Sequence, residues 1–349
     1  MSRRRRAGIV GAVVGVASAG VAAVALAKRY AVGRIRLRPD PEAGEPFGEL
    51  RGRPATVVTS DGVTLHCEVD GVEDAPLTVV LCHGYTLNLD SWHYQRRDLG
   101  GTHRVVLWDQ RCHGRSQRSP AEDSTIDRLG EDLAEVIEAL VPGPCVLVGH
   151  SMGGMTIMAL ADRRPDLFRD RVRGVALIST SAGKLAELTL GLPALVSKAV
   201  HKVAPTAVSA IGRRGAWVDR GRQAGSDVAF LGLRLFGFGD SANASPTVVD
   251  FVESMIRFTP TEVIAEFYPA LMSHDKLSAL GVLGDVPTAI LVGEKDWLTP
   301  PEHAGAIAAA LPHARFTQVP DTSHLVQLER PGVVNDALRD LLKQAAGEG

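Results

Sequence analysis

Residues 145–153 read Cys145-Val146-Leu147-Val148-Gly149-His150-Ser151-Met152-Gly153, and the fold turns on them. The four apolar residues at the start predict a buried strand, and the run from Met152 to Arg163 is compatible with a helix. Between them, Gly-x-Ser-x-Gly compresses the passage from strand to helix into one sharp turn with Ser151 at its apex. A serine hydroxyl is a poor nucleophile at neutral pH, so it must be both aimed and deprotonated. The turn aims it by pushing Ser151 above the strand ends, while Gly149 and Gly153 keep colliding Cβ atoms out of the way. The following helix points its N-terminus at the serine, where free amides can stabilise a developing oxyanion.

Working outward, the other parts such a serine needs are present in order. Upstream, the strand candidate Leu77–Cys82 ends in His83-Gly84-Tyr85. Downstream, the apolar run Thr288–Val292 leads into Gly293-Glu294-Lys295-Asp296. A helix candidate (Pro301–Leu311), a short strand (Ala314–Val319) and Asp321-Thr322-Ser323-His324 follow. Ser151, Asp296 and His324 follow one another in that chain order, as candidates for nucleophile, acid and base.

Together these segments resemble the α/β-hydrolase-fold serine hydrolases, the bacterial esterase and lipase-like group, across roughly residues 55–345. The resemblance implies an α/β fold: a mostly parallel central sheet, helices on both faces, and a helical cap insertion. It implies that His324 takes the Ser151 proton while Asp296 holds the imidazole tautomer. It also implies oxyanion donors at the Met152 and Tyr85 amides, with Gly84 allowing close approach and His83, His150, Gly149 and Gly153 as the supporting motif. Two rival acids stand close by. Glu294 sits on the strand end itself, and Asp321 is only three residues from His324, on the turn that carries it; Asp296, just past the strand, fits better. The segment Asp109-Gln110-Arg111-Cys112-His113-Gly114-Arg115-Ser116 resembles the family's Asp-x-Arg-Gly-His-Gly-x-Ser loop, with Cys112 in place of a glycine. This places the departure in a loop that shapes the pocket, outside the three catalytic candidates.

The 349 residues, 45% hydrophobic and 22% charged, suit one globular α/β domain with an insertion. Residues 39–54 are expected as an extended linker lying against the domain, 55–182 as the first part of the core, 183–280 as the helical cap and 281–349 as the second part of the core. The domain opens with a hairpin, Thr56–Thr59 and Val63–Cys67 around Ser60-Asp61-Gly62. One helix carries Ile126, Leu129, Leu133, Val136, Ile137 and Leu140 on one face; Asp127, Glu131, Asp132, Glu135 and Glu138 read as its solvated side. In the cap, Phe230, Phe236, Phe238, Phe251, Phe258 and Phe267 are expected to form a small core, with some lining an apolar acyl pocket. Cys82 and Cys145 read as small buried hydrophobes, not disulfide partners. None of the 11 histidines has the spacing of a metal site, so no metal or cofactor is expected.

The N-terminus departs from the rest. Residues 1–38 hold 9 basic and no acidic side chains around an uncharged stretch, residues 7–27; the remainder carries 29 basic against 40 acidic. That stretch is long enough to span a bilayer as a helix. An uncleaved membrane anchor is the favoured reading, beside a signal peptide cut after Ala25-Leu26-Ala27 or a cytoplasmic protein with a helical tail. No nucleic-acid surface is visible in the remainder. The expected function is hydrolysis of a lipophilic carboxylic ester. A thioesterase, amidase or peptidase, acyltransferase or cofactor-free perhydrolase could use the same residues, and a membrane-tethered binding protein is the non-enzymatic rival.

Overall fold

The computed structural model describes residues 32–187, 219 and 227–347. The uncharged stretch 7–27 and residues 188–211 of the expected cap lie outside these.

Eight strands form one sheet: β1 (Arg53–Val58), β2 (Thr64–Gly71), β3 (Thr78–Cys82), β4 (Arg104–Trp108), β5 (Cys145–His150), β6 (Val172–Ile178), β7 (Thr288–Gly293) and β8 (Arg315–Val319). Their order across the sheet is β1-β2-β4-β3-β5-β6-β7-β8. The opening hairpin pairs antiparallel, and β2 joins β4 antiparallel. From β4 to β8 every neighbour is parallel. The central strands β3, β4 and β5 are buried at every position, as continuous apolar runs require when both faces of a sheet are covered.

The helices named here are α1 (His93–Leu99), α2 (Ile126–Leu140), α3 (Met152–Arg163), α4 (Pro165–Asp170), α5 (Asp227–Gly237), α6 (Pro246–Phe258), α7 (Thr261–Met272), α8 (Pro301–Ala310), α9 (Val326–Glu329) and α10 (Pro331–Ala345). One face of the sheet is covered by α2, α3 and α8 through Leu133, Ile137, Ile157 and Ile307. The other is covered by α1 and α10 through Leu99, Val334, Leu338, Leu341 and Leu342. The last four recur at helical spacing, and burying each stabilises the fold by about 1.5–3 kcal/mol relative to exposure. All four cysteines are buried and free.

The solvated face expected on α2 needs correction at Asp132. This carboxylate is fully buried and holds the equally buried Arg111 through two hydrogen bonds, 2.6 and 2.7 Å. Arg111 also reaches Asp61 in the hairpin turn at 3.0 Å. The charge periodicity of α2 could not reveal this, because the partner comes from the loop after β4. A buried carboxylate is tolerated only with such a partner.

The chain before the sheet is not an extended linker. Residues 32–36 form a helical turn and residues 41–44 and 47–49 form further turns, with β1 starting at Arg53, inside the expected linker range. This N-terminal strap is fastened to α5 and α6, which fall in the range expected as the cap. Val32 is buried against a cluster that includes Phe230, Val248 and Phe251. Arg36 pairs with Asp250 at 2.7 Å, and Asp40 accepts from the Thr247 amide and hydroxyl at 2.9 and 2.7 Å. Among the described residues, no helix is long and apolar enough to cross a membrane.

Candidate active site

Strand β5 ends at His150, and Ser151 stands between it and α3 with φ +53° and ψ −117°. A non-glycine residue in such a conformation costs on the order of 1–3 kcal/mol and persists only when its surroundings fix it. Here the Ser151 amide donates to the Ile178 carbonyl at 2.9 Å, and the Thr180 hydroxyl donates to the Ser151 carbonyl at 2.7 Å. The flanking glycines are compulsory. A Cβ on Gly149 would lie 2.5 Å from the Gly153 carbonyl oxygen, and one on Gly153 would lie 2.0 Å from the Cys82 carbonyl oxygen. Met152 is the first residue of α3, where amides have no intrahelical partner.

The sheet brings Asp296 and His324 together from the ends of β7 and β8. His324 Nδ1 lies 2.9 and 3.1 Å from the two Asp296 oxygens. A carboxylate accepts, so Nδ1 carries the proton and Nε2 keeps its lone pair. Asp296 is itself fixed: its Oδ1 accepts from the Leu298 and Thr299 amides, both at 2.9 Å, and its Oδ2 from the Thr299 hydroxyl at 2.9 Å. Burial pushes this carboxyl upward, but His324 and the Thr299 bonds outweigh it and hold it below the usual carboxylate range. The rival acids face elsewhere. Asp321 pairs with Lys295 at 2.7 Å, and exposed Glu294 accepts from the Asp321 amide at 3.2 Å.

Two further histidines brace the site. His150 Nε2 donates to the His324 carbonyl at 2.9 Å, and their rings lie 4.9 Å apart. His83 Nδ1 donates to the Gly84 carbonyl at 2.8 Å while its Nε2 accepts from the Gln110 amide at 2.9 Å. The Gly84 carbonyl also accepts from the Leu87 amide at 3.2 Å, so the loop carrying Tyr85 is locked in place. Burial drives both His83 and His150 down to about 3, which keeps them neutral. A Cβ at Gly84 would stand 2.7 Å from His150 Nδ1, so this loop and the elbow touch only because residue 84 is glycine.

Ser151, His324, His150 and Tyr85 open into one cavity of 360 Å³. Its remaining walls are mainly aliphatic: Leu87, Met155, Leu233, Val252, Ile256, Leu271, Met272, Leu298 and Leu325. The expectation of phenylalanines in this lining fails for those whose side chains are described. Phe230, Phe238 and Phe251 form the cluster that packs the cap against the strap, Phe267 belongs to another cluster with Met152, and Phe258 is exposed. From α5 and α6 the cavity is met by Leu233, Gly237, Val252 and Ile256, and not by Phe230 or Phe251. The Tyr85 hydroxyl donates to the Ile264 carbonyl, and the Thr259 hydroxyl donates to the Thr86 carbonyl at 3.0 Å, joining floor to roof.

Some site residues escaped the motifs. Thr299 touches both Asp296 and His324, the latter at 3.3 Å. An Asp three residues before a Thr is a common local turn pattern, which gives it little weight alone. Cys112 takes φ +66°, the left-handed region that favours glycine, so its departure from the loop pattern is borne by a strained backbone. Its sulfur lies 3.3 Å from the Ser119 hydroxyl and accepts from the Ser119 amide. Among the described residues, Ser151 Oγ makes no hydrogen bond, and no cluster of His, Cys, Asp or Glu could hold a metal ion.

Comparison with known proteins agrees with this architecture. A family model described as the alpha/beta hydrolase family matches residues 79–337. The sn-1-specific diacylglycerol lipase ABHD11 of Mus musculus is 29% identical over 243 residues, covering 68% of this chain and 71% of that protein. Esterase YbfF of Escherichia coli is 26% identical over 264 residues, covering 76% and 92%. Among solved structures, a thermophilic esterase from Thermogutta terrifontis superposes with a TM-score of 0.66 at 27% identity, covering 84% of this chain and 98% of that one.

Proposed function

We propose that this chain, which belongs to the alpha/beta hydrolase family, is a serine hydrolase that cleaves carboxylic esters with an apolar acyl part. The observation that carries the reading is that His324, hydrogen-bonded to the buried Asp296, lines the same aliphatic cavity that Ser151 enters. His324 Nε2 takes the Ser151 proton as Oγ attacks the ester carbonyl. The Met152 and Tyr85 amides hold the tetrahedral oxyanion, and the imidazolium is stabilised by Asp296. Collapse expels the alcohol, which receives its proton from His324. Water then repeats the sequence on the acyl-enzyme and frees the acid. The lipase and esterase relatives support this chemistry. A serine at position 151 disfavours the epoxide and haloalkane reactions that an aspartate nucleophile performs on this fold.

The test is hydrolysis of p-nitrophenyl esters from acetyl to palmitoyl, with Ser151→Ala alongside. Turnover peaking at medium or long chains and reduced by about 10³-fold or more in Ser151→Ala is expected. Equal rates in the two proteins would end the serine mechanism.

A further inference from the structure

The turn that carries the second proposed oxyanion donor is held in a conformation that one of its own residues resists. The loop after β3 closes over residues 84–87, with the Leu87 amide donating to the Gly84 carbonyl at 3.2 Å. It lies directly on the elbow: a Cβ at Gly84 would stand 3.3 Å from Ser151 Cβ. Within it Thr86 has φ +64°, where turns ordinarily place glycine or asparagine. For a side chain branched at Cβ this backbone is strained, and it persists only when its surroundings hold it.

The chain on both sides of the Thr86 N–Cα bond is held by one corner of the molecule. Thr259 and Pro260 join α6 to α7. A proline disfavours the helical conformation in the residue before it, and Thr259 is accordingly extended, at φ −73° and ψ +119°. Thr259 is buried, and its hydroxyl donates to the Thr86 carbonyl at 3.0 Å, after the strained bond. Before that bond, the Tyr85 hydroxyl donates to the Ile264 carbonyl of α7. Relaxation of Thr86 to negative φ rotates the chain before it against the chain after it, which would move the Leu87 amide relative to the Gly84 carbonyl. That carbonyl shares a planar peptide unit with the Tyr85 amide, and the two point in opposite directions. Moving the one re-aims the other.

We infer that Thr259 is a positioning residue of the oxyanion hole: through the Thr86 carbonyl it keeps the turn closed and the Tyr85 amide aimed at the oxyanion. The inference rests on the serine mechanism proposed above. It makes that mechanism depend on one hydroxyl that belongs to none of the motifs.

The experiment measures hydrolysis of p-nitrophenyl acetate and p-nitrophenyl palmitate by the full-length protein, with Ser151→Ala as the reference for serine-dependent turnover. The variants are Thr259→Val, Thr259→Ser, Thr86→Gly, and Thr86→Gly combined with Thr259→Val. Valine nearly keeps the volume of threonine and removes the hydroxyl. It should lower kcat about ten-fold at unchanged KM, by the same factor on both esters, because both form the same oxyanion. Thr259→Ser keeps the hydroxyl and should stay within about two-fold of the unsubstituted protein. A glycine at position 86 needs no clamp, so Thr86→Gly alone should keep kcat. In that background the loss from Thr259→Val should shrink to about two-fold or less, the coupling that a double-mutant cycle reads. Thr259→Ala, which also removes the hydroxyl, carries the same expectations and replaces valine should that variant fail to fold. Full activity in Thr259→Val, a ten-fold loss in both backgrounds, a loss confined to palmitate, or a rise in KM at constant kcat would overturn the inference and leave the serine mechanism standing. Hydrolysis that Ser151→Ala does not reduce would end that mechanism and the inference with it.

Discussion

The floor and the roof of the cavity are built by different physics. The floor rests on the ends of β3, β5, β7 and β8, where Ser151, His324 and Asp296 are each held by hydrogen bonds shorter than about 3.2 Å. The roof, from α5, α6 and α7, presents mainly aliphatic side chains and meets the floor at the Tyr85–Ile264 and Thr259–Thr86 contacts. Directional bonds fix a reacting atom to a few tenths of an ångström; packed aliphatics fix only a volume. Under the proposed function, bond-making belongs to the sheet and discrimination among acyl chains to the roof.

That division can be broken experimentally. Asp296→Asn should have the largest effect, lowering kcat by about 10³–10⁴-fold, because the amide no longer enforces the Nδ1–H tautomer of His324. Circular dichroism should stay unchanged, and a loss below ten-fold would move the acid elsewhere. Ile256→Trp tests the roof: added bulk on α6 should reduce kcat/KM for palmitoyl esters about ten-fold or more while acetyl esters keep their rate. An equal loss on both would show that the roof also shapes the floor. Thr299→Val removes one bond to Asp296 Oδ2 while two amides remain, so kcat should fall about three- to ten-fold at unchanged KM.

A further effect is thermodynamic, acting on stability and not on turnover, and is spread across the floor. His83 and His150 are pushed down to about 3 and His113 to about 4, all by burial. Unfolded, each would titrate near its ordinary 6.5. Below that pH the unfolded chain binds protons that the folded chain refuses, so stability is full above about 6.5 and falls as pH drops toward 4. Each histidine contributes roughly 1.4 kcal/mol per pH unit in that window. Urea midpoints at pH 7.5, 6 and 5 should decline steadily. A flat profile would mean that these rings gain protons in the folded state without cost.

Much of the floor could be read from the chain, because its parts are local. The buried strand β5, the glycines of the elbow and the residues just past β7 and β8 are contiguous, and a parallel sheet turns chain order into spatial order. What was hidden depends on partners far apart in sequence. Asp132 looked like any exposed helix carboxylate until Arg111, 21 residues earlier, is seen to bury it. The phenylalanines of α5 and α6 carry no sign of which helix face meets the strap and which meets the serine. Thr299 gained its role only once β8 had carried His324 beside it.

The backbone at Ser151 carries a consequence of another kind. A glycine at φ +53° would sit without strain, so the residue proposed as nucleophile also makes the molecule less durable. Selection for heat tolerance alone would drift toward replacing this proposed nucleophile. Laboratory evolution of this scaffold therefore has to score turnover and survival together, since in this turn the two pull in opposite directions.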